Sequence, residues 1–150
     1  IRQESTRQES DILALADFLI INVVAGAPDG HSKNISILRS AGNTWVAPLY
    51  DLATGLLYDR RDVDRSVAVS VGGERSVARI RQRQWDKAAI TLGLPVDLLT
   101  ARVSHLARDF PKAFDWAVHS SIGVPGAEAI LERASKSLTP HCERIVAQLG

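Results

Sequence analysis

Apolar residues recur along this chain in two rhythms, and each predicts a different kind of element. Residues 18–26 are a nearly unbroken apolar run that follows polar Asp17, and such a run reads as a buried helix. Gly26 and Pro28 end it, because proline disfavours helical backbone in the residue before it. Residues 29–33 are then a loop. Ile35, Ile37 and Leu38 interleave with Ser36, the pattern of a short strand. Ala41-Gly42-Asn43 is a turn, and residues 44–47 begin a return strand. Residues 58–65 are charged with mixed signs (Asp59, Arg60, Arg61, Asp62, Asp64, Arg65) and read as an exposed loop. Residues 67–80 alternate around Gly72-Gly73, which predicts a second hairpin.

After residue 81 the rhythm changes to 3.6. Residues 82–92 place Trp85, Ala88, Ala89 and Leu92 on one helical face, with Gly93 as C-cap. Pro95 opens a further helix, with an apolar stripe of Leu98, Leu99, Val103, Leu106 and Phe110. Pro111 is expected to kink or restart it, and Phe114, Trp116, Ala117 and Val118 continue the apolar pattern. Gly123 and Pro125-Gly126 mark a break, and residues 127–149 form the last helix, with a bend expected at Pro140. Trp45 and Trp85 are expected to anchor the core. The predicted fold class is mainly α with short β-hairpins, in a single domain over residues 1–150.

Composition narrows the function classes. The 150 residues are 45% hydrophobic and 23% charged, ordinary for a globular domain. A net charge of +1 supplies no global drive toward nucleic acid or membrane. The longest apolar run falls short of the roughly 18–20 residues that span a bilayer. Cys142 is the single cysteine, so no internal disulfide forms, which suits a reducing, cytoplasmic compartment. The chain begins with Ile and contains no Met, and the expectation is a piece of a longer protein.

The residues that carry chemistry lie between the first helix and the second hairpin. Asp29 is followed five residues later by Asn34, and Asp51 stands seventeen residues beyond Asn34. Protein kinases use this order: a loop Asp that accepts the substrate hydroxyl proton, an Asn five residues on that binds Mg²⁺, and a later Asp that binds Mg²⁺ on the nucleotide phosphates. Mg²⁺ is a hard cation that takes oxygen ligands, typically one or two from protein beside phosphate and water. A hairpin between Asn34 and Asp51 brings both to the same end. Asp29, His31 and Asp51 also fit a metal-dependent hydrolase, although such an enzyme has no need of Asn34, and His105, His119 and His141 are scattered along the helical tail. Arg75, Arg79, Arg81, Arg83 and Lys87 form a basic cluster, either a solvated face or a phosphate contact. Val71-Gly72-Gly73 is a hairpin turn rather than a phosphate cradle, because no Lys-Ser/Thr opening a helix follows it.

The stretch FLIINVVAGAPDGHSKNISILRSAGNTWVAPLYDL resembles the HipA-like serine/threonine kinases of bacterial toxin–antitoxin systems, and SVAVSVGGERSVARIRQRQWDKAAITLGL is similar to the same family. The resemblance covers residues 11–150. It implies the helical C-terminal lobe of a protein-kinase-like fold. It also implies Asp29 as catalytic base, His31 and Lys33 lining the catalytic loop, and Asn34 and Asp51 as ligands of Mg²⁺ and, through it, of ATP. Pro28 departs from the small polar residue expected before the Asp. The family's N-terminal lobe, with its nucleotide-clamping loop and phosphate-binding lysine, finds no counterpart in these residues. The implied partners are a protein substrate, a tRNA synthetase among the candidates, and an antitoxin, with DNA reached only through the antitoxin. The alternative is a catalytically silent module that holds an antitoxin or a DNA-bound complex.

Overall fold

A computed structural model describes residues 3–59, 61–120 and 123–150, apart from the side chains of Ala127, Leu131 and Ser135. Arg60, expected in the charged loop, lies outside the described residues. Among the described residues there are four helices and two hairpins: α1 Gln8–Val24, β1 Ile37–Ser40, β2 Asn43–Val46, β3 Ser66–Val71, β4 Glu74–Ser76, α2 Gln82–Leu92, α3 Val96–His119 and α4 Ala127–Ala147. Single 3₁₀ turns occupy Ser32–Asn34 and Val77–Arg79. Each sheet is one antiparallel pair, β1 with β2 and β3 with β4.

Helix α1 begins ten residues earlier than its apolar run. Two carboxylates lie in this earlier stretch, and both have tertiary partners. Asp11 is buried and accepts from Ser5 Oγ at 2.6 Å and from the Val46 N–H at 3.0 Å. Asp17 receives both Nε and Nη2 of Arg102, the latter at 2.6 Å. The first contact ties α1 to β2 and the second ties it to α3. The C-terminal half of α1 inserts Ala16, Ile20, Val23 and Val24 into the core, where they meet Val67, Val71, Trp85, Ala89, Leu99, Val103, Ala107, Leu138 and Ile145.

The hairpins follow their turn residues. Ser40 pairs with Asn43 across Ala41-Gly42, and Val71 with Glu74 across Gly72-Gly73. Gly72 has φ +54°, and a Cβ there would collide with the backbone of Gln84 in α2. The turn therefore seats the second hairpin on α2. Helix α2 ends as expected at Gly93: the Leu94 N–H reaches the Ala89 carbonyl at 2.9 Å and the Gly93 N–H the Ile90 carbonyl at 3.1 Å, the Schellman arrangement.

Helix α3 differs from expectation in two ways. It runs unbroken through Pro111, although proline removes the N–H that would bond residue 107. Packing on both sides of the proline holds it: Ala107 is buried in the core, Phe110 and Phe114 pair at 6.5 Å, and α3 makes its most extensive contact with α4. The buried stripe is Leu99, Val103 and Ala107. Leu98, one residue out of phase with it, is exposed, and Trp116 is 73% exposed. Helix α4 likewise continues through Pro140. Trp85 is buried as expected, whereas Trp45 is only half-buried, beneath the Arg7 guanidinium at 4.6 Å.

Candidate functional site

The segment after α1 folds back on the helix end. The Ala27 N–H donates to the Asn22 carbonyl at 2.8 Å, and the Gly55 N–H to the Gly26 carbonyl at 2.9 Å. These two bonds bring the loop that starts at Asp29 and the segment 51–55 to one end of α1. On the other side, β1 and β2 carry the chain from Asn34 to Asp51, with the Ala47 N–H on the Ser36 carbonyl at 2.8 Å.

Asn34 and Asp51 meet as the spacing required. Asn34 Nδ2 donates to Asp51 Oδ2 at 2.7 Å and to the Asp51 carbonyl at 3.3 Å. Asn34 is 3% exposed, and its Oδ1 is buried with no hydrogen-bond partner among the described residues. Asp51 is exposed and has φ +58°, a left-handed conformation that few non-glycine residues adopt, Asp and Asn among the most tolerant. Such a backbone persists only where its surroundings over-determine it, and here both bonds from Asn34 do so. One side of the pair is thus a buried amide oxygen without a donor, and the other is a carboxylate open to solvent.

Asp29 stands apart from this pair in its contacts. Its side chain is 82% exposed, and Oδ1 lies 3.6 Å from His31 Nε2. His31 Nδ1 is buried without a hydrogen-bond partner among the described residues. The Lys33 side chain is exposed, and its backbone carbonyl accepts from Tyr50 Oη at 3.2 Å. With that one phenolic proton committed, the Ser36 hydroxyl 2.7 Å away donates to Tyr50 in turn. Tyr50 thereby ties the loop carrying Lys33 to the residue before Asp51, a role that spacing alone does not reveal.

The alternative sites separate from this one. Among the described residues no group of three or more His, Cys, Asp and Glu side chains gathers to hold a metal, so the hydrolase reading lacks a ligand set there. His105 sits 3.3 Å from Asp109, His119 Nδ1 lies 2.8 Å from the Asp115 carbonyl, and buried His141 Nε2 lies 2.8 Å from the Val23 carbonyl. Much of the basic cluster is taken up locally. Arg79 forks onto Glu74 at 2.9 and 3.1 Å, Arg75 Nε donates to the Val67 carbonyl at 2.9 Å, and Arg81 Nη1 to the Ala78 carbonyl at 2.6 Å. The Arg79 guanidinium holds the Glu74 carboxyl down at about 2.

Comparisons with known proteins bear on the family and the fold. The sequence profile of the HipA-like C-terminal domain matches residues 1–114. A Sinorhizobium fredii protein that carries the name kinase Y4mE is 33% identical over 106 residues, 71% of this chain and 25% of that protein. The serine/threonine-protein kinase toxin HipA of Shewanella oneidensis is 27% identical over 99 residues, 66% of this chain and 22% of that one. The chain therefore spans about a quarter of the length of these curated relatives. A solved structure of the Shewanella oneidensis toxin–antitoxin complex of HipA, HipB and operator DNA superposes with a TM-score of 0.79 at 21% identity, over 95% of this chain and 36% of that one.

Proposed function

The chain belongs to the HipA-like C-terminal domain family, and from that premise we propose that it is the C-terminal catalytic lobe of a serine/threonine protein kinase. The observation that carries the proposal is the Asn34–Asp51 contact with its unpartnered, buried Asn34 Oδ1. The donor set fits Mg²⁺: an amide oxygen and a carboxylate are the hard ligands that ion takes, and two protein ligands leave room for phosphate oxygens and water. Mg²⁺ bound with ATP neutralises charge on the phosphates during transfer.

The remaining roles belong to this chain's own side chains. Asn34 donates to both the carbonyl and the carboxylate of Asp51 and so holds it in its left-handed conformation. Asp29, exposed and free of a metal ligand's duty, accepts the proton of the acceptor hydroxyl. His31 lies against Asp29 and orients it. Lys33, through its carbonyl, fixes the loop to Tyr50, and its exposed ammonium faces the incoming phosphates. A single lobe does not position a nucleotide by itself, because transfer depends on holding both reactants in line. The nucleotide clamp and its lysine therefore lie in chain beyond residues 1–150 in the complete kinase. By likeness to HipA with HipB and operator DNA, the complete protein is the toxin of a toxin–antitoxin pair. It binds an antitoxin protein and reaches DNA through it. No helix among the described residues is long and apolar enough to cross a membrane, and the proposed place of action is the cytoplasm, where ATP and a protein substrate are available.

Transfer of label from γ-labelled ATP, read as autophosphorylation of the complete protein, tests this. Asp29→Ala and Asp51→Ala should each lower the rate by about 100-fold or more, the scale of a positioned acid–base group or metal ligand; the folded fraction of each variant is measured alongside, because alanine at the positive φ of residue 51 is strained. A full rate in Asp51→Ala would overturn the proposal.

A further inference from the structure

The loop that carries Asp29 has few bonds of its own. The His31 N–H turns back to the Asp29 carbonyl at 2.9 Å, and the Asn34 N–H reaches the His31 carbonyl at 3.0 Å. Beneath it lies Asn22, 2% exposed, near the end of α1. Its Nδ2 donates to the Phe18 carbonyl at 2.7 Å, a bond back along the helix that fixes the side-chain rotamer. Its Oδ1 is buried with no hydrogen-bond partner among the described residues.

Gly30 explains where that oxygen points. Gly30 is not among the positive-φ glycines, so its φ does not bar an alanine. The nearest obstacle is Asn22: the three atoms nearest to a Cβ at residue 30 are its Oδ1, Cγ and Nδ2, all inside 3.0 Å. Glycine at residue 30 is thus a steric requirement set by one side chain. A glycine Cα–H facing a carbonyl oxygen is also a weak donor, which gives the buried Oδ1 its neighbour.

We infer that Asn22 is a positioning residue for the phosphoryl-transfer site: its carboxamide, pinned to α1 and packed against Gly30, sets the height of the loop and hence the place of the Asp29 carboxylate. This rests on the reading of Asp29 as the base. A misplacement of about 1 Å is enough to cost roughly 100-fold in rate, so the support under the loop has kinetic weight.

A double-variant cycle on the complete protein tests it, with Gly30→Ala, Asn22→Ala and both together, and with Asp29→Ala as control. Melting temperature and the kcat and KM for Mg·ATP are measured for each. Gly30→Ala should lower kcat by about 100-fold with KM within about twofold. Adding Asn22→Ala makes room for the methyl group and should recover about tenfold of the loss and raise the melting temperature. A Gly30→Ala variant with wild-type kcat, or a double variant no faster than Gly30→Ala, overturns the inference. If Gly30→Ala does not fold, Asn22→Ala alone decides: kcat falls about tenfold at unchanged KM, whereas a lower melting temperature with unchanged kcat marks a merely structural residue and overturns it. If Asp29→Ala is as active as wild type, the base assignment fails and the positioning role falls with it. The melting temperatures still report whether Asn22 and Gly30 touch, so the two failures are distinguishable.

Discussion

At the scale of single residues, burial decides which side chains react. Cys142 is buried on α4 with Sγ 3.8 Å from the Val24 carbonyl. Burial first, and the nearby Glu143 charge second, push its thiol from 9.0 up to about 11. Because the thiolate is the nucleophile, iodoacetamide at pH 8 should label Cys142 slowly in the native protein and rapidly after denaturation; equal rates would contradict the packing. The linkage sign follows from a folded pKa above the unfolded one. Stability from the neutral thiol is complete below about pH 9 and is lost as pH rises toward 11. The site residues were unevenly legible in sequence. The Asn34–Asp51 contact is legible because a spacing and one short hairpin suffice to bring the two together, whereas Asp29 is related to them by spacing alone. Asn22 looked like one polar letter in an apolar run, and Tyr50 like a motif neighbour. Their partners, Gly30, Lys33 and Ser36, become neighbours only once the loop folds back onto α1.

At the scale of elements, short-range chemistry was the readable part. Gly93, Gly72-Gly73 and Ala41-Gly42 each mark a boundary that the structure places where the sequence does, because a turn or cap involves a few adjacent residues. Tertiary partners overrode the local pattern elsewhere. The helix extends upstream of its apolar run, and that part is held by residues distant in sequence, Val46 on Asp11 and Arg102 on Asp17. Pro111 argued for a break that packing of α3 on α4 prevents. The hairpin turn gives a quantitative check. Both of its glycines have positive φ, +54° and +87°, so alanine at either is strained by about 1–3 kcal/mol. Only residue 72 also meets the Gln84 backbone, since nothing lies within 4 Å of a Cβ at residue 73. Urea unfolding should therefore show Gly72→Ala more destabilised than Gly73→Ala. The reverse order would mean that β3 and β4 do not seat on α2.

At the scale of the whole molecule, α1 is the strut that joins scaffold to chemistry. Asp11 near its start holds the β1–β2 hairpin, Asp17 in its middle grips α3, and its end carries the loop with Asp29 and receives the segment after Asp51. The hairpin then closes the circuit by returning the chain from Asn34 to Asp51. The proposed role of this circuit is to hold one magnesium ion with ATP. A crystal structure of the complete protein with Mg²⁺ and a non-hydrolysable ATP analogue measures it directly. A magnesium ion is expected about 2.0–2.1 Å from both Asn34 Oδ1 and an Asp51 carboxylate oxygen. A magnesium–nucleotide complex bound elsewhere, with Asn34 Oδ1 still buried and uncoordinated, would contradict it.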